Sequence, residues 1–424
     1  MSDAELKRRT MRKVMWRLPP LMALMFLINQ LDRVNVSFAA LTMNADLGLS
    51  TTAYAWGAGI FFIAYFAFEI PSNLILERVG ARRWIARIMI TWGIISGAMA
   101  LVTGPTSFLI VRFLLGAAEA GFVPGLVLYI TYWFPPGYRA RATAIFFFAA
   151  PMGNAVAGML SVPLLAMNGV LGLTGWQWMF VVEALPAVLL GFYILKALSD
   201  RPRDAKWLTV EERTWLERAV QTRTPHGSAW EQVRAILNRR AGLLSLIYFT
   251  RNMAMYGVSL FLPLILSGAG LSNTQVGFAA TIPFLTAALG AVAWAWSSDR
   301  FNERHWHVIT AMLLAAGGLT ISALLGPSVW SLVAISIAAI GLYAQAVVFW
   351  SLPPLMLSGM AAAAGIAAIN ATGNLGGFLG PYIVGVTARG GDFSTGLYVM
   401  AGCALLSALL SILLKYLRWE EKPA

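Results

Sequence analysis

Apolar runs as long as a bilayer's hydrocarbon core is thick recur along the whole chain, and they leave few folds open. A spanning helix needs roughly 20 mostly apolar residues, and twelve such stretches can be placed among the 424 residues. They run 18–41, 54–76, 84–102, 108–134, 142–167, 176–198, 241–266, 274–296, 306–326, 329–352, 361–388 and 394–416. Lipid offers backbone polar groups no water, so a spanning chain is either helical or a closed barrel. The apolar–polar alternation of barrel strands is absent, which leaves the helix. Charged residues make up 12% of the chain, where a soluble domain carries about 25%. The expectation is an all-α membrane protein.

The net charge of +12 is distributed as a topology signal rather than as a nucleic-acid surface. Basic residues gather in the N-terminal tail (Lys7, Arg8, Arg9, Arg12, Lys13, Arg17), the second loop (Arg78, Arg82, Arg83), the fourth (Arg139, Arg141) and the stretch 199–240. The loops between these are almost free of Lys and Arg. Alternation of this kind places both termini in the cytoplasm. The first span is too long and too polar for a cleaved signal peptide, so its retention is expected. Cys403 is the sole cysteine and excludes an intramolecular disulfide.

Six spans on each side of one long polar loop suggest a duplicated architecture. We expect a six-helix bundle over 1–198, a cytoplasmic loop over 199–240 with an amphipathic stretch at Glu211 to Val220, and a second six-helix bundle over 241–424. Two internal echoes support this. Loop 2 reads Asn73-x-x-x-Glu77-Arg78-x-Gly80-x-Arg82-Arg83, and loop 8 reads Ala295-x-x-x-Asp299-Arg300-x-x-x-Arg304. Gly153-Asn154 in the fifth span is matched by Gly373-Asn374 in the eleventh, each followed by small residues that let helices approach closely.

The loop-2 pattern resembles the signature of the major facilitator superfamily, with Glu77 for its Asp and Asn73 for its first Gly. A more specific set is Leu31-Asp32-Arg33-Val34-Asn35, Glu69-Ile70-Pro71-Ser72-Asn73, Arg112-Phe113-Leu114-Leu115-Gly116 with Glu119, and Gly175-Trp176-Gln177-Trp178. Together these resemble the anion:cation symporter family, in the bacterial branch that takes up tartrate, phthalate and related carboxylates. The match covers most of the N-terminal half and is thinner in the C-terminal half. The helix-5 motif of the superfamily's antiporters is absent, which weighs against drug export. The resemblance implies two pseudo-symmetric six-helix bundles. It also implies that Asp32 and Glu119 couple protons and that Arg33 contacts the substrate carboxylate.

Seven charged residues lie four or more residues from either end of a span: Asp32, Arg33, Glu69, Arg112, Glu119, Glu183 and Arg251. Such residues are costly in lipid, by ~3 kcal/mol each on insertion scales, and usually face a cavity or a partner. At ~1.5 Å per residue Asp32 and Arg112 lie at one level, and we expect them to pair. Glu119 lies about 10 Å deeper on the same face as Arg112, placed to pass a proton between carboxyls. Adjacent helix positions point about 100° apart, so Arg33 is left for the substrate. Burial favours the protonated carboxyl and a nearby Arg opposes it, a balance that can change with conformation.

Arg251 lies near the middle of the seventh span, with Tyr256 five residues on. Its spacing is similar to that of the helix-7 Arg of vesicular glutamate transporters, and it suggests a substrate with two anionic groups, one on Arg33 and one on Arg251. The bland alternative is an Arg held by a backbone carbonyl. Asn29 and Gln30 neighbour Arg33 on helix 1, and Asn370 and Asn374 resemble the family's substrate-contacting position. Tyr65 and Gln345 complete the expected pocket. Glu69, Glu77, Arg78, Asp299 and Arg300 are assigned to gating or structure. Glu183 is read as a structural partner of Trp176 and Trp178.

The three histidines are expected in loops or at the start of a span, and neither a phosphate-binding glycine loop nor a nucleophile constellation is present. We therefore expect a transporter rather than an enzyme, with no cofactor beyond the proton gradient. The expected activity is proton-coupled uptake of a small organic carboxylate, a dicarboxylate being favoured, by alternating access. Proton-independent exchange or uniport, and a transporter-like carboxylate receptor, are the alternatives. The expected partners are the organic anion, protons and the lipid bilayer, with the chain acting as a monomer.

Overall fold

The computed structural model describes residues 3–220, 239–356 and 360–417. The described elements are helices, apart from one isolated bridge between Arg389 and Asp392. In chain order they are α1 (Asp3–Asp46), α2 (Thr51–Val79), α3 (Ala81–Ala98), α4 (Pro105–Glu119), α5 (Phe122–Trp133), α6 (Pro136–Leu165), α7 (Gly175–Ala197) and α8 (Val210–Val220). They continue with α9 (Arg239–Ser259), α10 (Leu262–Ser267), α11 (Asn273–Arg300), α12 (His305–Leu325), α13 (Val329–Phe349), α14 (Pro353–Met356), α15 (Met360–Thr387) and α16 (Ser394–Tyr416). Among the described residues ten helices are long and apolar enough to cross a membrane, α4 and α5 counting as one. The two remaining expected spans fall on α9–α10 and on α15. All twelve expected spans are thus helical.

Two expected spans are interrupted. The fourth breaks at Ala120–Gly121, where Gly121 takes φ +84° and heads α5. A side chain there would be strained, since the left-handed region costs an L-residue about 1–2 kcal/mol. Its Cβ would also stand 2.4 Å from Ser72 Oγ. The seventh span breaks at Leu260–Phe261, between α9 and α10. The first runs longer than its apolar core: α1 has 44 residues, about 66 Å at 1.5 Å each, twice a ~30 Å hydrocarbon core.

Contacts divide the chain into two units. The first comprises Met1–Thr224 with Asn273–Thr281, the second Pro225–Ser272 with Ile282–Ala424. In the first, α1 packs on α6 and α7, α2 on α4, and α3 on α7. Glycine sets the closest of these approaches. A Cβ on Gly153 of α6 would lie 2.6 Å from the Leu27 carbonyl of α1. Leu185, Leu189, Phe192 and Tyr193 of α7 lie exposed, an apolar stripe facing outward at helical spacing, as lipid requires. Polar groups are buried instead, which inverts the soluble pattern.

Polar staples hold both ends of this first unit. On the side of the basic loops, buried Glu212 of α8 receives Arg9 Nε at 3.0 Å and Lys13 Nζ at 2.8 Å from the first turns of α1. Trp207 stacks on Trp133 at 5.5 Å, with the Arg17 guanidinium over it at 5.1 Å. Asp200 accepts the Arg82 backbone N–H at 2.8 Å, placing a carboxylate at the positive end of α3. At the other end, Trp176 Nε1 donates to Asp46 at 2.7 Å and Gln177 Nε2 to the Ala100 carbonyl at 2.8 Å.

In the second unit α9 packs on α15 and α16, and α12 on α13 and α16. A buried apolar cluster of Leu244, Ile247, Val348, Phe349, Leu352 and Ile369 joins α9, α13 and α15. Gly376 and Gly380 of α15 lie against the Phe249 and Met253 carbonyls of α9, where a Cβ would approach to 2.4 and 2.2 Å. The device of Gly153 against α1 in the first unit recurs at these two glycines, while Gly373, the echo of Gly153, lies against the Tyr248 ring, where a Cβ would approach to 2.1 Å.

Candidate functional site

Four charged residues converge inside the first unit. Asp32 and Arg33 come from α1, Arg112 and Glu119 from α4; Asp32, Arg112 and Glu119 are each 1% exposed and Arg33 8%. Arg33 holds Glu119: its Nε lies 2.5 Å from Glu119 Oε1, and its Nη2 is directed at the same oxygen. The Arg33 guanidinium lies 4.9 Å from the Tyr65 ring and 5.4 Å from Phe61, and that of Arg112 lies 5.1 Å from Phe61. The negative faces of these α2 rings suit desolvated cations. Glu119 is the last residue of α4, directly before the break at Gly121. The carboxylate therefore sits where the helix changes direction.

The expected Asp32–Arg112 ion pair is not formed. Asp32 Oδ1 accepts from the Ser96 hydroxyl of α3 and from Asn35 Nδ2 at 3.1 Å. Arg112 turns to α2, its Nε 3.0 Å from the Gly57 carbonyl and its Nη2 3.3 Å from the Ala58 carbonyl. The two residues stay within electrostatic reach of each other and of Glu119. The common level was predicted from helical rise, but rise does not fix the direction a side chain takes around the axis. Gly57 and Gly116 decide that direction: a Cβ on Gly116 would fall 2.1 Å from the Phe61 carbonyl. Without side chains there, α2 comes close enough to offer its backbone to Arg112. Arg33, expected to be left for the substrate, is held here by Glu119.

The remaining expected pocket residues divide by unit. In the first, Asn29 and Gln30 are buried one turn before Arg33, and both amide atoms of Asn29 lack a hydrogen-bond partner. Glu69 is 4% exposed within α2, while Glu77 and Arg78 are exposed in its last turn. In the second unit Arg251 Nε and Nη2 donate to the Leu342 carbonyl at 2.9 and 2.6 Å, and Nη1 to Asn252 Oδ1 at 2.7 Å. Asn252 in turn donates to the Gly373 carbonyl at 3.0 Å. Arg251 thus ties α9 to α13, as the bland alternative held, and with five N–H donors two remain beyond these bonds. Tyr256 is 8% exposed and Asn374 7%, with Asn370 half-buried. Gln345 is buried with neither amide atom bonded. Asp299 pairs with Arg304 at 2.5 Å, and Arg300 lies over the Trp296 ring at 5.3 Å.

The sequence reading missed Asn35, Ser96 and Phe61. Asn35 had a signal, since it follows Asp32 by one turn on the same face. Ser96 and Phe61 come from other helices and had none. No group of three metal-ligating side chains occurs among the described residues.

A family description, Major Facilitator Superfamily, matches residues 22–272 and 244–424. The chain belongs to the major facilitator superfamily. A superfamily relative from Agrobacterium vitis, named "Putative tartrate transporter", is 49% identical over 413 residues, 97% of this chain and 92% of its own length. A "Quinolone resistance transporter" from Acinetobacter baumannii is 39% identical over 426 residues, 99% of this chain and 97% of its own. Among solved structures, a bacterial homologue of the human lysosomal transporter Spinster superposes with a TM-score of 0.75 at 17% identity, covering 94% of this chain and 96% of that one. That likeness speaks for the fold. The superfamily and these relatives are transporters, so the protein is a multi-pass membrane transporter rather than an enzyme.

Proposed function

We propose that this protein takes up a small organic carboxylate together with protons, by alternating access, across a bacterial cytoplasmic membrane with both termini in the cytoplasm. The observation that carries this reading is the buried Arg33–Glu119 ion pair within a set of two anions and two cations. That set is neutral as it stands. A substrate carboxylate added to it would leave an uncompensated negative charge away from water, which is strongly disfavoured. Protonating Glu119 removes that excess and releases the Arg33 fork, whose geometry suits a carboxylate. Proton and anion then load as a neutral sum, and neither loads well alone.

Two Agrobacterium vitis relatives at 49% and 48% identity carry the tartrate name, which favours a hydroxy dicarboxylate as substrate. Arg33 and Asn29 are assigned to a substrate carboxylate and hydroxyl in the first unit, and in the second Arg251, Tyr256, Gln345, Asn370 and Asn374 are assigned as substrate contacts. Asp32 and Glu119 carry protons, with Arg112 holding their field. The test is uptake into proteoliposomes with the external pH recorded. Tartrate, phthalate, an aromatic monoacid and a quinolone form the panel. The reading expects tartrate accumulation accompanied by external alkalinisation. Uptake indifferent to an imposed pH gradient would contradict it, and saturable transport of the quinolone alone would replace the substrate class.

A further inference from the structure

Glu183 is a buried carboxyl that the proposed transport scheme does not use. It lies on α7, two turns beyond Trp176, is 2% exposed, and neither carboxyl oxygen has a hydrogen-bond partner of good geometry. Its surroundings are not those of an ion pair. The charged group whose field reaches it is Asp32, of like sign, and the polar group beside it is the Asn35 amide. That amide already donates to Asp32 Oδ1. The elements packed on α7 are α1, α3, α6 and the short helix Met99–Leu101. From α1 the neighbouring charges are Asp32 and Arg33, and Arg33 is bound to Glu119. The charged side chains of α3 (Arg82, Arg83, Arg87) lie in its first seven residues, away from Ser96. The titratable groups of α6 (Tyr138, Arg139, Arg141) lie in its first six, and Met99–Leu101 has none. Among the described residues no ion pair to Glu183 is formed, and the charged group whose field reaches it is an anion.

An ionised carboxylate without cation or donor, beside a second carboxylate and out of water, takes up a proton instead. Once protonated, Glu183 becomes a donor. Asp32 Oδ2 and Asn35 Oδ1 are both buried acceptors with no donor directed at them. A proton on Glu183 supplies one O–H, which can answer one of these two acceptors where an ionised carboxylate would offer none. Assigning Glu183 to a structural clamp with Trp176 leaves these atoms unexplained, because Trp176 is committed to Asp46.

We propose that Glu183, Asn35 and Asp32 form a proton-sharing set in which Glu183 carries a proton while Asp32 is ionised. The exchange balances: the Glu183 O–H breaks as an Asp32 O–H forms, and the negative charge moves the other way. Asn35 lies beside both carboxyls and keeps them in register. The set places a second proton store in the first unit, separate from the Arg33–Glu119 pair. Its role in transport rests on the proton-coupled reading above, but its protonation state does not.

Infrared spectroscopy of the purified protein in lipid, recorded against pH without substrate or gradient, tests the set. A protonated-carboxyl C=O band is expected at neutral pH and is lost in Glu183→Gln. In Asp32→Asn, the band assigned to Glu183 is expected to titrate away at a pH lower by about one unit or more, because strongly coupled carboxyls titrate as a pair. A neutral-pH band unchanged by Glu183→Gln would overturn the proposal. So would an unchanged titration in Asp32→Asn, and that comparison decides alone if Glu183→Gln does not fold. Gradient-insensitive uptake with these spectra intact would refute symport and leave the set standing.

Discussion

In the proposed scheme the substrate carboxylate and Glu119 compete for Arg33, so substitutions there separate charge from geometry. Arg33→Lys keeps the charge and loses the planar fork and its place over Tyr65. Removing one charge-assisted hydrogen bond costs about 1.5–3 kcal/mol, and each 1.4 kcal/mol is about tenfold in affinity. The substrate KM in counterflow is expected to rise by roughly ten- to a hundredfold, and an unchanged KM would take Arg33 out of the substrate site. Arg251 carries two expectations. Arg251→Ala leaves the Leu342 carbonyl short of its donors, a loss of about 1–3 kcal/mol of stability, read as a lower melting temperature. If it also takes a second carboxylate, KM for dianions rises more than KM for monoanions. Equal losses would leave it the structural role that its bonds to Leu342 and Asn252 already fill.

At the scale of elements, the break after Glu119 is the part of the fold the site depends on most. Gly121→Ala forces an L-residue to φ +84° with its Cβ 2.4 Å from Ser72 Oγ. We expect a melting temperature lowered by the equivalent of at least ~1–2 kcal/mol, with Glu119 displaced from Arg33. An unchanged melt would mean that the α4–α5 break does not need glycine. The clamp of α1 on α8 has a definite pH dependence. Burial pushes the Glu212 carboxyl up, but Lys13, the Thr209 N–H and Arg9 outweigh it and hold it below the usual range. Its stabilisation is therefore present above the unfolded value of about 4.3 and is lost as pH falls through the folded one. Glu212→Gln should lower the melting temperature at pH 7 by about 1 kcal/mol equivalent, since Arg9 and Lys13 are partly exposed and screened. The difference should close at strongly acid pH.

Apolar length alone made the number and order of the spans legible, because lipid admits so few alternatives. The site was legible in its residue types and less so in its partners. Depth along a helix follows from counting, so Asp32, Arg112 and Glu119 were placed in one neighbourhood. Which of them touch depends on rotation about each axis and on how closely helices approach. Gly57 and Gly116 settle that in three dimensions, which is why Arg112 meets α2 and Glu119 meets Arg33. The break at Gly121 sits within an unbroken apolar run, and hydropathy passes over it.

For the whole molecule, membership of the superfamily and relatives near half-identity make transport secure, and the neutral four-charge set is the reason to expect proton and anion to move together. Glu119→Gln fixes the carboxyl in its neutral form and tests that expectation most directly. Purified protein in proteoliposomes would be assayed for two quantities: substrate accumulation under an imposed pH gradient, and exchange of labelled for unlabelled substrate without one. We predict that accumulation is lost while exchange persists, because Arg33 stays free for the anion but the proton no longer has to accompany it. Accumulation surviving in Glu119→Gln at the wild-type level would contradict the account.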